Sequence, residues 1–211
     1  MEAVVELNGV VAVLNGFPAL AGVDLRIERG EIVLLQGPNG AGKTSVLRVC
    51  AGLLPIERGN GRVLGADLAT QREAIRSRVG MLGHANGLYL DLTVAQNLGF
   101  WAATVGASDD EVRAAMSRMR IDGRLADVRA GQLSAGQRRR TALAALIVRR
   151  AELWLLDEPH AGLDAAGRDE LDVLLRDAVA SGATVVLASH ESERAAGLAT
   201  RTLVIDGGGA R

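Results

Sequence analysis

Apolar positions alternate with polar ones in short runs over the first third of the chain, and helical spacing replaces alternation further on. Val4–Leu7, Val10–Leu14, Val23–Ile27 and Ile32–Leu35 predict strands, separated by turn signals at Asn8-Gly9, Asn15-Gly16 and Arg29-Gly30. A helix is expected from Lys43 to about Gly52, stopped by Pro55, followed by strands over Arg62–Leu64 and Val79–Leu82. From about 86 to 150 the spacing predicts helices over Thr93–Val105, Asp109–Arg120 and Gln137–Arg150. Thr93 is an N-cap with Gln96 in the capping-box position, and Ser108 opens the second helix with Asp109 and Asp110 in its first turn. Strand, helix and strand return at Leu153–Leu156, Ala165–Ser181 and Thr184–Ala188, with a last strand at Thr202–Ile205. Strands alternating with helices predict an α/β fold: a mainly parallel sheet covered by helices, with a core over about 1–85 and 151–211 and a helical insert over about 86–150.

Composition narrows the class. The 211 residues are 48% apolar with a net charge of -1, a globular balance with no general nucleic-acid surface. Arg138–Arg140 is expected to be a solvated or interface-facing helix surface. The single cysteine, Cys50, lies in an apolar helical pattern and is expected in the core, and it excludes an intrachain disulfide. The start, Met-Glu-Ala-Val-Val, does not read as a signal peptide, and no run approaches the length of a membrane span. Thr141–Val148, the longest candidate, reads as a buried helix, so a membrane role would require a partner.

Residues 37–44 read Gly-Pro-Asn-Gly-Ala-Gly-Lys-Thr, after an apolar run and before a helix. Gly37, Gly40 and Gly42 let the backbone wrap a phosphate, with Pro38, Asn39 and Ala41 between them. Lys43 supplies charge to the β- and γ-phosphates, Thr44 a hydroxyl for Mg²⁺, and Ser45 a further phosphate contact. The loop alone predicts a nucleoside triphosphate and does not separate kinases, GTPases and ATPases. Leu153–Leu156 then ends in Asp157 and Glu158, expected beside that loop at the C-terminal edge of a parallel sheet. Asp157 can hold Mg²⁺ through water and Glu158 can polarise the attacking water. Alternation along the strand is expected to give the two acids their different exposures.

Residues 133–137, Leu-Ser-Ala-Gly-Gln, resemble the Leu-Ser-Gly-Gly-Gln signature of ABC ATPases, with Ala135 at the first glycine position. Ser134 can cap a helix whose N-terminus, opened by Gly136, points at an anion. Ala161-Gly162-Leu163-Asp164 looks like the loop that crosses the dimer interface of that family, and His190 looks like its switch histidine. The resemblance spans nearly the whole chain. It implies a P-loop NTPase core of ABC ATPase type, with an antiparallel β subdomain and an inserted α-helical subdomain. It further implies ATP and Mg²⁺ as ligands and a head-to-tail dimer with a second copy or a related ATPase subunit, in which Leu133, Ser134, Ala135, Gly136 and Gln137 complete the partner's site, with Asp164 in the crossing loop.

Departures from the family are informative. His84 follows Val79–Leu82 where the family has glutamine; an imidazole offers one donor and one acceptor, serving water or metal, or it is a surface loop residue. Leu14 stands where an aromatic usually stacks on adenine, leaving Phe17 nearby as the stacking residue, or else the base rests on aliphatic side chains. His160, after Pro159, is expected to be a partly exposed loop residue near the nucleotide.

Met81-Leu82-Gly83-His84, Asn86-Gly87-Leu88-Tyr89, Leu92-Thr93-Val94 and Asn97-Leu98 resemble the corresponding segment of the ATP-binding subunit of the haem exporter of bacterial cytochrome c maturation. That resemblance implies a peripheral protein on the cytoplasmic side of the bacterial cell membrane. It would energise multi-span membrane subunits and be coupled either to haem movement or to release of a haem-loaded chaperone. Leu88, Tyr89, Leu90, Phe100 and Trp101 are then insert core, a groove for a membrane-subunit helix, or both. Within the same family, the ATPase subunit of an exporter for another substrate is the alternative; two further readings are a soluble ABC ATPase and an unrelated phosphate-loop kinase. The first usually carries insertions or modules absent here, and the second leaves the signature and His190 unexplained.

Overall fold

The computed structural model describes residues 2–83, 85–189 and 192–206 and the backbone of 209–210. In chain order the elements are β1 (Ala3–Leu14), β2 (Phe17–Glu28), β3 (Ile32–Gln36), α1 (Lys43–Cys50), β4 (Arg58–Val63), β5 (Ala66–Asp67), β6 (Val79–Leu82), α2 (Val94–Val105), α3 (Asp109–Arg118), α4 (Ala135–Val148), β7 (Leu153–Asp157), α5 (Ala165–Ala180), β8 (Thr184–Ala188), α6 (Ser192–Leu198), β9 (Arg201–Asp206) and β10 (Gly209–Ala210).

They form two sheets. One is antiparallel, in the order β2-β1-β4-β5. Asn15 and Gly16 join β1 to β2 with φ of 53° and 81°, the left-handed pair that a tight hairpin turn requires. Asn8-Gly9 is not the expected turn. β1 runs straight through it with a shift of register between Leu7 and Val10, and the Gly9 amide donates to Asp24 Oδ1 at 2.7 Å. Opposite this bulge a Cβ on Gly59 would collide with the carbonyls of Asn8 and Gly9, so a glycine is needed there.

The other sheet has the order β10-β9-β3-β8-β7-β6, parallel from β9 to β6 with β10 antiparallel at one end. Its central strands are buried on both faces, so they read as continuous apolar runs rather than alternating ones. The pleat still sorts them. Leu153 and Leu155 join Val33, Leu35 and Val186 in a core shared with α1 and the antiparallel sheet. Trp154 and Leu156 join Ile32, Leu34, Val185 and Leu187 in a core shared with α2 to α5. Cys50 is fully buried, and burial pushes its thiol up to about 12, which leaves it an inert apolar filler.

The helices begin where their capping residues stand. Thr93 with Gln96, Ser108 with Glu111 and Ser134 with Gln137 each form a reciprocal capping box, and Asp164 caps α5 through the Gly167 amide. Because β3, β6, β7 and β8 are parallel and in register, the residues that follow them all leave the sheet at one edge. This edge brings together the glycine loop after β3, Gly83 after β6, the acid pair at the end of β7 and Ser189 after β8.

Candidate functional site

The loop after β3 turns into α1 through Gly42, whose φ of 104° gives this helix an N-terminus without any side-chain cap. The first amides of α1 are therefore left to whatever anion the loop encloses. Gly37 is needed for a different reason: a Cβ there would run into the Ile205 carbonyl of β9. The Lys43 ammonium donates to the carbonyl oxygens of Gly37 (2.7 Å) and Pro38 (3.0 Å), lying across its own loop. Ala41 turns inward to the core beside Val46 and Leu47.

Thr44 Oγ1 donates to Asp157 Oδ2 at 2.7 Å, so the strand end and the helix start meet directly. A hydroxyl and a carboxylate form an all-oxygen donor pair suited to a hard cation that keeps water and phosphate ligands. Among the described residues no cluster of three or more His, Cys, Asp or Glu gathers, so a resident all-protein metal cage is absent there. Asn39, Gly40, Gly42, Lys43, Thr44, Ser45, Asp157 and Glu158 share one open pocket of about 490 Å³ with Leu14, Phe17, Pro18 and Ala19 of the β1–β2 hairpin. That is a volume typical of ligand pockets. Phe17 stands 76% exposed at its rim.

Asp157 and Glu158 are both half-buried, so strand alternation does not give them the different exposures expected. β7 ends at Asp157, and Glu158 leaves the strand in a left-handed conformation (φ 49°). A non-glycine residue there costs about 1 kcal/mol or more, so it is over-determined by its surroundings. The Glu158 amide donates to the Ala188 carbonyl at 2.8 Å, and its Oε2 accepts from Ser189 Oγ at 3.3 Å. Ser189 is a neighbour that the sequence did not single out.

Two expectations are corrected by burial. His160 is 1% exposed rather than a loop surface residue; its Nε2 lies 2.8 Å from Asp172 Oδ1 on α5. Asp172 Oδ2 in turn accepts from Arg194 of α6 at 2.5 Å, and Arg194 also reaches Asp169 at 2.7 Å, so the loop after the acid pair is tied to both helices. Arg139 is 4% exposed, not part of a solvated arginine surface. It donates to carbonyls of Asp157, Glu158, Pro159 and Gly83 and to the Asn86 side chain. Desolvation lowers its pKa, and the charges of Asp157 and Glu158 oppose that shift. The signal was available: at helical spacing Arg139 shares the face of the buried Ala142, Leu143 and Leu146.

The signature segment lies apart. Ser134 Oγ accepts from the Gln137 amide (3.2 Å), and Gln137 Oε1 accepts from the Ser134 amide (2.9 Å). Leu133 is buried below them. A Cβ on Gly136 would come within 3.1 Å of the Gly162 carbonyl, so the loop at Gly162 sits tightly against the start of α4. Ser134, Ala135, Gly136 and Gln137 line a second open pocket with Gly162 and Asp164, and it shares no lining residue with the phosphate-loop pocket. His84 and His190 lie outside the described residues.

The aromatic segment divides. Leu88 and Trp101 pack on the helical core, with the Arg149 guanidinium 4.4 Å from the Trp101 ring centre. Tyr89, Leu90 and Phe100 are exposed, and Tyr89 meets Phe100 edge-on at 5.1 Å. No helix among the described residues is long and apolar enough to cross a membrane.

The family model described as "ABC transporter" matches residues 20–161. Proteins named cytochrome c biogenesis ATP-binding export protein CcmA are similar over most of their length. The one from Bordetella bronchiseptica is 42% identical over 87% of this chain and 83% of its own. The one from Bradyrhizobium diazoefficiens is 38% identical over 96% and 98%. Among solved structures, a dimeric ATP-binding cassette in a post-hydrolysis state bound to ADP and Pi shares the fold with a TM-score of 0.90 and 24% identity, over 98% of this chain and 96% of that one.

Proposed function

We propose, from the premise that the chain belongs to the ABC transporter family and within it to the cytochrome c biogenesis ATP-binding export proteins, that it hydrolyses ATP to drive an exporter through two composite sites. The observation that carries the hydrolytic assignment is the placement of Glu158 beside Asp157 in the phosphate-loop pocket, turned out of the strand line by its left-handed backbone. Lys43 and the uncapped amides of α1 bind the β- and γ-phosphates. Thr44 and Asp157 fit Mg²⁺, which when bound offsets phosphate charge. Glu158 orients and deprotonates the attacking water, steadied by the Ser189 hydroxyl. Phe17 at the rim borders the base side; by resemblance, His190 contacts the γ-phosphate and His84 serves water or metal in place of the family's glutamine.

Each site is completed by the signature of a second copy, head to tail. What supports this is the separation within one chain of the phosphate loop and Ser134–Gly136 into two pockets without a shared wall. Residues from about 86 to 150 form the helical subdomain that carries the signature. The exposed Tyr89, Leu90 and Phe100 face a multi-span membrane subunit, which holds the chain peripherally on the cytoplasmic side of the membrane. The cargo is haem, or the work is release of a haem-loaded chaperone. Glu158→Gln is the test. ATP binding is retained, hydrolysis falls about 100-fold or more, and an ATP-bound dimer accumulates; hydrolysis at the wild-type rate would remove Glu158 as the base.

A further inference from the structure

One side chain near the start of α4 holds loops from two neighbouring strands. β6 and β7 are parallel and adjacent, and the chain leaves both at the same edge. Outside the sheet ladder, no backbone hydrogen bond among the described residues runs from 83–90 to 157–163. Arg139 supplies a side-chain connection. Its Nη1 donates to the Gly83 carbonyl at 2.9 Å and to Asn86 Oδ1 at 3.1 Å. Its Nη2 donates to the Asp157 carbonyl at 3.0 Å and to the Glu158 carbonyl, and its Nε to the Pro159 carbonyl at 3.1 Å.

All three nitrogens are thus used, on acceptors from both loops, by a group that is nearly inaccessible to water. Burying a guanidinium is costly unless every donor is satisfied, and an apolar side chain would fill the same space without that cost. What only the planar fork adds is simultaneous reach to carbonyls lying in different directions. The carbonyls it grips belong to the acid pair itself, and the helix that carries it starts five residues earlier at the Ser134 cap.

We infer that Arg139 is a positioning residue: it fixes Asp157 and Glu158 relative to the loop after β6 and makes their placement follow the signature helix. It touches backbone only at the acid pair, so it acts through those residues rather than on the substrate. This inference rests on the assignment of Asp157 and Glu158 as the metal and water residues. A rigid-body displacement of α4, such as engagement of its N-terminus by a partner's nucleotide, is passed to the acids through Arg139.

Arg139→Lys, Arg139→Ala and Glu158→Gln are compared with the wild type for ATP affinity, kcat and amide deuterium exchange. A misplacement on the order of an ångström predicts kcat lower by about 10-fold in Arg139→Lys and about 100-fold in Arg139→Ala, with ATP affinity within about threefold. Amides of residues 85–90 and 157–163 exchange faster in both variants, while those of residues 40–46 do not. Wild-type kcat in a folded Arg139 variant overturns the inference. So does a loss of kcat accompanied by faster exchange throughout α4 and the phosphate loop, which marks a purely structural arginine. If Arg139→Ala fails to fold, Arg139→Lys, which keeps the charge but not the fork, decides. If Glu158→Gln hydrolyses at the wild-type rate, the assignment of the acids fails, and the exchange data still test the bridge.

Discussion

The N-termini of α1 and α4 both follow glycine-bearing loops and both face open pockets, yet they are finished in opposite ways. At α1 the cap is Gly42 in a left-handed conformation, with no side chain on the first amides, and Lys43 folds over the loop. At α4 Ser134 and Gln137 satisfy each other's amides in a closed capping box. The first helix start is unfinished without an anion. The second is stable by itself and offers only the amides and the small surface around Ala135 and Gly136. On the proposed function, one terminus holds a phosphate within its own chain and the other is laid against a phosphate held by a second copy.

Breaking the α1 side carries the largest effect. Lys43→Ala is expected to lower ATP affinity at least about 100-fold, about 2.7 kcal/mol, by equilibrium titration. Unchanged affinity would mean that the loop amides alone bind the phosphates and that the contrast lies elsewhere. A smaller effect sharpens the α4 side. Ser134→Ala removes one half of the capping box and is expected to cost about 1 kcal/mol, seen as a melting temperature about 3 °C lower. Its ATP affinity as an isolated subunit should match the wild type. Weaker binding in the monomer would place the signature in the same site as the phosphate loop.

The same contrast explains what could be read from the sequence. The glycine loop, the capping boxes at Thr93, Ser108 and Ser134, and the apolar strands are local devices whose partners lie within a few residues, so spacing reveals them. Asn8-Gly9 misled because a turn dipeptide and a β-bulge use the same left-handed backbone, and only the pairing of β1 with β2 and β4 separates them. Arg139 and His160 are buried where the sequence reads as surface, because their partners are backbone carbonyls and an acid brought in by other elements. A run of three arginines reads as a solvated helix surface and a histidine after proline as a loop residue, whereas tertiary hydrogen bonds make burial tolerable for both. The twist of Glu158 out of β7 is a property of one residue's backbone, which the apolar pattern before it does not record.

The central claim is that one chain holds the nucleotide and a second chain's signature closes over it. The most direct test places a bulky cation at Ser134 in the hydrolysis-deficient Glu158→Gln background and measures ATP affinity and molecular mass together. Ser134→Arg is expected to leave ATP affinity of the subunit unchanged within about threefold and to abolish the ATP-dependent dimer that Glu158→Gln alone forms. A dimer that persists, or ATP affinity lost from the monomer, would contradict the composite site.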